Sequence, residues 1–313
     1  MGTSVVFSSY LFGYAMSSLV CVPLSDRYTP GMMFLAGISA ICLPNVLFPL
    51  IAEGFWSASF LRFVSGAGQV VAYTTGIRLV AHHYADRRGI AVSIFVALAY
   101  LGTTLSYVIM GMLLDRYADW RLSYFILSAT ASLSIILCVI FLIGSRRGIR
   151  LTKAQVPRKS GRLEPRLLKD ASIAKVIAAY AIHTADLYVV RLWLPLLLGA
   201  AFSYQGMGAA EAAAQASTFS GLMFMPGAGS VLLGGWLSDR WGRRSSAILI
   251  LTLSALCSGL IGWLAAAPVF YVLAIGCLIG LLTAADSAIY STTLIELSPE
   301  GKTGSVQALQ SFI

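Results

Sequence analysis

The residues of this chain that could do chemistry are few, and they stand inside apolar runs. Tyr180, His183 and Asp186 recur at every third position of Tyr180-Ala181-Ile182-His183-Thr184-Ala185-Asp186. On a helix that spacing puts all three on one face, as a polar stripe at mid-run. A carboxyl or imidazole held at that depth in a membrane can take up a proton from one side and release it to the other, so Asp186 with His183 is the expected carrier. A second acid, Asp286, interrupts Ala284-Ala285-Asp286-Ser287. Arg191, further along than Asp186, falls on a different face and nearer the outer end. Arg62 opens the stretch Arg62-Phe63-Val64-Ser65-Gly66-Ala67-Gly68 near a membrane edge. Arg78 would lie about 24 Å further along the same helix, within reach of Asp26. Two readings stay open. The charges line a solute cavity, or they pair with one another between helices; Arg62 either faces protein or extends its head to the interface.

Other chemistry is weakly represented. His82 and His83 adjoin at a helix end without a third ligand, too little for a metal. Cys21, Cys42, Cys138, Cys257 and Cys277 all fall in apolar runs without metal-like spacing and read as packing residues. The sequence has no phosphate-binding loop, no Gly-x-Ser-x-Gly turn and no metalloprotease helix. Neither an enzyme nor a cofactor is expected.

Composition dictates the elements that must position these residues. The 313 residues are 58% apolar and 11% charged, against roughly a quarter charged in soluble globular chains. Apolar runs of roughly 20 residues, each able to cross about 30 Å of hydrocarbon, recur along the chain. Stretches of alternating polarity, the mark of a membrane β-barrel, do not occur. The expected fold is all-α and polytopic. Nine full segments can be marked: Ser4 to Leu24, Met32 to Ala52, Ser57 to Val80, Ile90 to Leu114, Leu122 to Ile143, Ile173 to Gly199, Ser217 to Leu237, Ser245 to Leu264 and Val269 to Ile295. A tenth begins near Thr303. The first run opens with neither Lys nor Arg and is expected to stay in the membrane rather than act as a removable signal.

Lys and Arg are retained on the cytoplasmic side of membrane helices. Sorting alternate connections puts seventeen of them on one side, among them Arg27, Arg87, Arg88, Arg240, Arg243, Arg244 and Lys302, and only Arg116 and Arg121 on the other. The end of the first segment is therefore cytoplasmic. Trp56, Trp120, Trp193, Trp236 and Trp263 lie near segment ends, where indole rings anchor at the interface. This topology accounts for the net charge of +9, which calls for anionic lipid and no nucleic-acid partner.

The stretch from Ser145 to Ala171 holds nine basic residues against Glu164 and Asp170. It reads as a basic cytoplasmic linker (145–172) between two helical bundles, 1–144 and 173–313. A repeat joins the halves: Ser25-Asp26-Arg27 matches Ser238-Asp239-Arg240 at an offset of 213 residues. Ala85-Asp86-Arg87-Arg88-Gly89 matches Pro299-Glu300-Gly301-Lys302-Thr303-Gly304 at nearly the same offset.

Gly234-Gly235-Trp236-Leu237-Ser238-Asp239-Arg240-Trp241-Gly242-Arg243-Arg244 resembles the loop signature Gly-x-Leu-x-Asp-Arg-x-Gly-Arg-Arg of the major facilitator superfamily, placed after family helix eight. The copy after family helix two, Pro23 to Gly31, keeps Asp26 and Arg27 but loses the glycine and basic pair that follow. Arg62 to Gly68 resembles a second family pattern, Arg-x-x-x-Gly-x-Gly on family helix four. The glycine-proline pattern of many exchangers is missing from family helix five, where Gly102-Thr103-Thr104-Leu105 stands, so efflux has no support. The resemblance implies a monomeric, multi-pass transporter of a small solute in the cell membrane, the bacterial inner membrane being expected, with protons as candidate coupling ions. Asp239 would then gate the cytoplasmic side with Arg240, Gly242, Arg243 and Arg244, and Gly235 would let two helices pack closely. That family has twelve helices. This chain shows nine and part of a tenth, which leads to the alternative expectation of a non-transporting piece lacking family helices one and twelve and most of eleven.

Overall fold

A backbone in hydrocarbon has no water to bond, so each spanning segment must satisfy its own N–H and C=O groups. The computed structural model meets this with helices. It describes residues 2–25, 28–84, 88–144, 165–264 and 266–299, and positions 306, 309, 310 and 312. Eleven α-helices are present among the described residues: α1 Gly2–Ser25, α2 Pro30–Ile51, α3 Phe55–His83, α4 Arg88–Tyr117, α5 Trp120–Gly144, α6 Ala171–Tyr204, α7 Ala209–Phe224, α8 Gly227–Trp241, α9 Arg243–Ile261, α10 Val269–Ala285 and α11 Ser287–Leu297. Their starts are chemically marked. Thr29 accepts a bond from the Met32 N–H at 3.3 Å ahead of Pro30, and Asp170 accepts one from the Ser172 N–H at 2.8 Å, each satisfying a donor that the first helical turn leaves free.

Seven helical stretches among the described residues are long and apolar enough to cross a membrane: Pro30–Ile51, Ile94–Tyr117, Trp120–Gly144, Ala171–Tyr204, Ala209–Trp241, Arg243–Leu264 and Val269–Leu294. Of the nine expected, the first keeps only the shorter apolar stretch Val5–Leu19. The third, α3, is diluted by Arg62, Gln69, Thr74, Thr75 and Arg78. Two of the seven are interrupted. The expected segment from Ser217 begins earlier, at Ala209, and breaks between α7 and α8, where Pro226 has no N–H to offer the preceding turn. The segment from Val269 breaks at Asp286, where the Ile289 N–H closes a tighter turn on the Asp286 carbonyl at 2.9 Å.

Contacts divide the chain into two compact units. The first comprises Met1–Phe95, Tyr124–Leu167 and Pro299–Ile313; the second, Val96–Ser123 and Leu168–Ser298. This differs from the expected boundaries, which assigned all of 1–144 to one bundle. Most of α4 goes with the second unit because small and hydroxyl residues of α7 pack against its backbone: Ser217 donates to the Tyr107 carbonyl at 2.8 Å, and a Cβ on Gly221 would come within 2.7 Å of the Thr104 carbonyl oxygen.

In the first unit α3 packs against both α1 and α2. The glycines after Arg62 make this close approach, since a Cβ on Gly66 would overlap the Tyr10 carbonyl and one on Gly68 would press on the Gly37 carbonyl. Between lipid-embedded helices such close packing replaces the hydrophobic drive available in water. In the second unit α10 is the central helix, contacting α6, α7, α8 and α9. Val190, Leu194, Leu198, Met223, Val272 and Ile279 form its core.

Candidate functional site

The centre of the second unit holds a polar cluster across α6 and the α10–α11 break. His183 and Asp286 are buried, at 4% and 1% exposure, and His183 Nδ1 lies 2.8 Å from Asp286 Oδ1. This is a close charge contact rather than an aligned hydrogen bond, and Asp286 Oδ1 has no well-directed donor among the described residues. On the other edge of the ring, His183 Nε2 is 2.9 Å from the Ser287 hydroxyl. With the Nδ1–H tautomer facing Asp286, Ser287 donates to Nε2; with the imidazole protonated, Nε2 donates instead. The Tyr180 and Tyr290 rings flank the imidazole at 5.8 and 5.6 Å.

The break in the last segment explains how an acid comes to face the histidine. Asp286 caps the C-terminus of α10, and Ser287 opens α11. Consecutive residues on a turn therefore bracket one imidazole. Interrupted membrane helices supply polar positions of this kind at membrane depth because the surrounding protein satisfies the freed backbone.

Asp186 takes a different direction. Its Oδ2 accepts a 2.8 Å bond from the buried hydroxyl of Ser254 on α9. The expected single stripe therefore splits: Tyr180 and His183 face the α10–α11 break, whereas Asp186 turns to α9. Positions three apart are offset by about 60° around a helix, enough to reach two neighbours. Arg191, one further turn along, stands over the rings of Tyr100 and Tyr188 at 5.4 and 6.0 Å.

Arg62 belongs to a separate cluster in the first unit. Its guanidinium donates to Asn45 Oδ1 at 3.3 Å and covers the rings of Phe48 and Tyr124 at 4.4 and 5.3 Å. The Tyr124 hydroxyl donates to the same Asn45 oxygen at 2.6 Å. Protein groups thus surround this charge, as in the first of the two readings kept open for it.

At the loop signature, Gly242 joins α8 to α9 with φ +85°, a left-handed conformation in which a Cβ is strained. That bend brings the Arg243 guanidinium back onto α8, where it donates to Ser238 Oγ at 2.9 Å and Asp239 Oδ1 at 3.0 Å. Its other terminal nitrogen donates to Glu296 on α11 at 2.8 Å. Arg240 covers the Trp236 ring at 5.4 Å, and Arg244 is exposed. The tight packing expected of Gly235 falls one residue earlier. A Cβ on Gly235 meets nothing within 4 Å, while one on Gly234 would overlap the Ala285 carbonyl. The reason is helical phase: Gly234 is buried against α10 and its neighbour is turned about 100° away. Asp26 and Arg27 lie outside the described residues, and so does the expected contact of Asp26 with Arg78, which is exposed.

Sequence reasoning missed Ser254, Ser287, Tyr290 and Glu296. Ser287 and Tyr290 carried a signal, adjoining Asp286 and standing one turn after it. Nothing in sequence spacing links Glu296 to Arg243 or Ser254 to Asp186.

The described helices and their buried charges define an all-α, multi-pass membrane protein. Its whole length, residues 1–313, matches the model of the Major Facilitator Superfamily, and the chain belongs to that family. It is 25% identical over 268 residues to "Probable anion transporter 4, chloroplastic" of Arabidopsis thaliana, covering 79% of this chain and 49% of that protein. It is 30% identical over 129 residues to the chloramphenicol resistance protein CraA of Acinetobacter baumannii, covering 41% and 30%. With the uncharacterized transporter C36.01c of Schizosaccharomyces pombe the identity is 29% over 148 residues, covering 45% and 24%. The chain thus spans half or less of the length of these relatives.

Proposed function

We propose that this chain is the substrate- and proton-handling part of a secondary active transporter for a small solute, a permease of the symport type working by alternating access. The observation that carries the reading is the buried His183–Asp286 contact at 2.8 Å across a broken membrane helix. With a second proton on the imidazole ring, making it an imidazolium beside an ionised Asp286, the pair is neutral overall. Without it the site carries one negative charge in a medium that penalises an unbalanced charge. Gaining or losing that proton therefore changes the energy of exposing the site to either side, which is what coupling requires. Asp186, on the same helix but bonded to Ser254, is a second acid on the path rather than the partner of His183. Arg243, with Asp239 and Glu296, serves as the cytoplasmic gate, joined by Arg240, Gly242 and Arg244.

The relatives named for anion transport and for drug resistance support a small-molecule substrate. We place the protein in a cell membrane as a monomer, its basic face against anionic lipid. The test is reconstitution of the purified chain in liposomes holding a pH-sensitive dye. Solute-dependent, saturable entry of protons down an imposed gradient is the expected result. No solute-dependent proton flux, in liposomes where the protein is folded, would favour the alternative of a piece that does not transport.

A further inference from the structure

The first unit contains a groove that neither the polar cluster nor the loop signature uses. It encloses about 560 Å³ and is lined by α1, α2 and α3. Helices α1 and α2 both rest on α3, which forms the floor between them. On α3, Gly66 meets α1 and Gly68 meets α2, so Ala67 falls midway between the two contacts. Val64 and Val71 share that side of the helix, because seven residues make almost two full turns. All three line the groove. Among the described residues its polar side chains are Ser17 and Tyr28, and none of the lining is charged.

Its length and its mouth say what fits. Along α2 the lining runs from Met32 to Ala40, about 12 Å. That is from the end of α2 marked as cytoplasmic by the basic connections to the middle of Pro30–Ile51. A partner helix would need the full span of about 20 residues. One hydrocarbon chain of the cytoplasmic leaflet needs only about half of the ~30 Å core, close to what the groove offers. At the mouth, Arg78 stands seven residues beyond Val71, on the same side of α3, and is exposed. Gly37 lies against Ala72 and Phe34 against Gly76, an antiparallel register that brings Arg78 level with Met32. The apolar floor thus ends at a guanidinium where the membrane meets the cytoplasm, and a cation there complements an anionic headgroup.

We propose that this groove binds one anionic glycerophospholipid of the cytoplasmic leaflet, with its phosphate at Arg78 and one acyl chain along Val64, Ala67 and Val71. A guanidinium offers two phosphate oxygens parallel N–H bonds from a planar fork. The uncharged lining accepts an alkyl chain and offers a charged solute nothing below the mouth. The site goes beyond the transport reading and does not depend on it.

The experiment uses the purified full chain, its methionines replaced by photo-methionine, in nanodiscs of phosphatidylcholine with a minor share of phosphatidylglycerol. On illumination each diazirine attaches to what lies against it, and mass spectrometry reads the adducts. Met33 is buried and lines the groove. Met112 is exposed on α4 and samples the surrounding bilayer. Phosphatidylglycerol is expected on Met33 at about fivefold or more its proportion on Met112, the preference that one basic residue gives near an anionic surface. Arg78→Gln should bring that ratio back to about one, and Arg78→Lys, which keeps the charge, should retain most of it. Both variants should melt like the wild type in lipid-free detergent, since Arg78 is exposed. Equal proportions at the two methionines overturn the proposal, and are the result if Arg78 is committed to Asp26 instead. So does enrichment that survives Arg78→Gln. A Met33 adduct with another copy of the chain in place of lipid also overturns it, and would make the groove a contact between copies.

Discussion

His183 Nδ1 and Asp286 Oδ1 are 2.8 Å apart although the residues stand 103 positions apart in the chain. Each is the only charged neighbour of the other among the described ion pairs. Asp286→Asn keeps the shape of the side chain and removes its charge. It should abolish pH-driven uptake while leaving exchange of solute across equal pH intact. His183→Gln should do the same. A pH-jump assay with a trapped dye decides it, and full proton flux in either variant would remove the pair from the coupling mechanism.

Asp186 should behave differently in that same assay. An asparagine can still accept the Ser254 hydroxyl, so Asp186→Asn is expected to fold normally and to slow pH-driven uptake without abolishing it. Ser254→Ala removes the donor and should cost about 0.5–1.5 kcal/mol of stability, the usual net worth of one such bond. Complete loss of coupling in Asp186→Asn, with Asp286→Asn unaffected, would reverse the assignment.

Gly234 and Gly235 make a contrast within one turn. At Gly234 a methyl group would overlap the Ala285 carbonyl, so Gly234→Ala should lose about 1–3 kcal/mol and Gly234→Leu should fail to accumulate. At Gly235 the space is open, and alanine there should be neutral or gain up to about 1 kcal/mol from helix propensity. Melting of the two alanine variants in the same detergent checks this; equal losses would show that the close approach lies elsewhere.

The Arg243 clamp should matter for gating more than for stability. Its acids Asp239 and Glu296 are solvent-exposed, and exposed pairs are worth about 0.2–1 kcal/mol each. Arg243→Gln or Glu296→Gln should therefore shift melting little. The same energy can move a conformational equilibrium by about fivefold. Labelling of introduced cysteines from each side of sealed vesicles should show more of the cytoplasm-open form in both variants, and unchanged labelling would argue against a gate.

Gly242→Ala isolates the bend from the charges. The left-handed φ of +85° costs a non-glycine residue about 1–2 kcal/mol. The Arg243 contacts should loosen with it, so this variant is expected to combine a lower melting temperature with the labelling pattern of Arg243→Gln. A lower melting temperature with wild-type labelling would separate the bend from the gate.

Sequence alone established the all-α membrane class, the loop signature and the residues worth naming, because each of these depends on composition, apolar run length or a short local pattern. Lipid leaves a long apolar run only one way to satisfy its backbone, so most helix boundaries were legible within a few residues, the start at Ala209 rather than Ser217 being an exception. The break at Asp286 was not, since a polar residue in an apolar run is tolerated or disruptive according to what surrounds it. Helical periodicity placed Tyr180, His183 and Asp186 on one side of α6 but could not say which neighbours that side meets. Tertiary packing decided that His183 meets Asp286 and Ser287, that Asp186 meets Ser254, and that Gly234 rather than Gly235 touches α10. The same packing gave Arg62 an asparagine and left Arg191 between two rings. Those choices turn on differences of less than a helical turn and on partners distant in the chain, which local patterns do not encode.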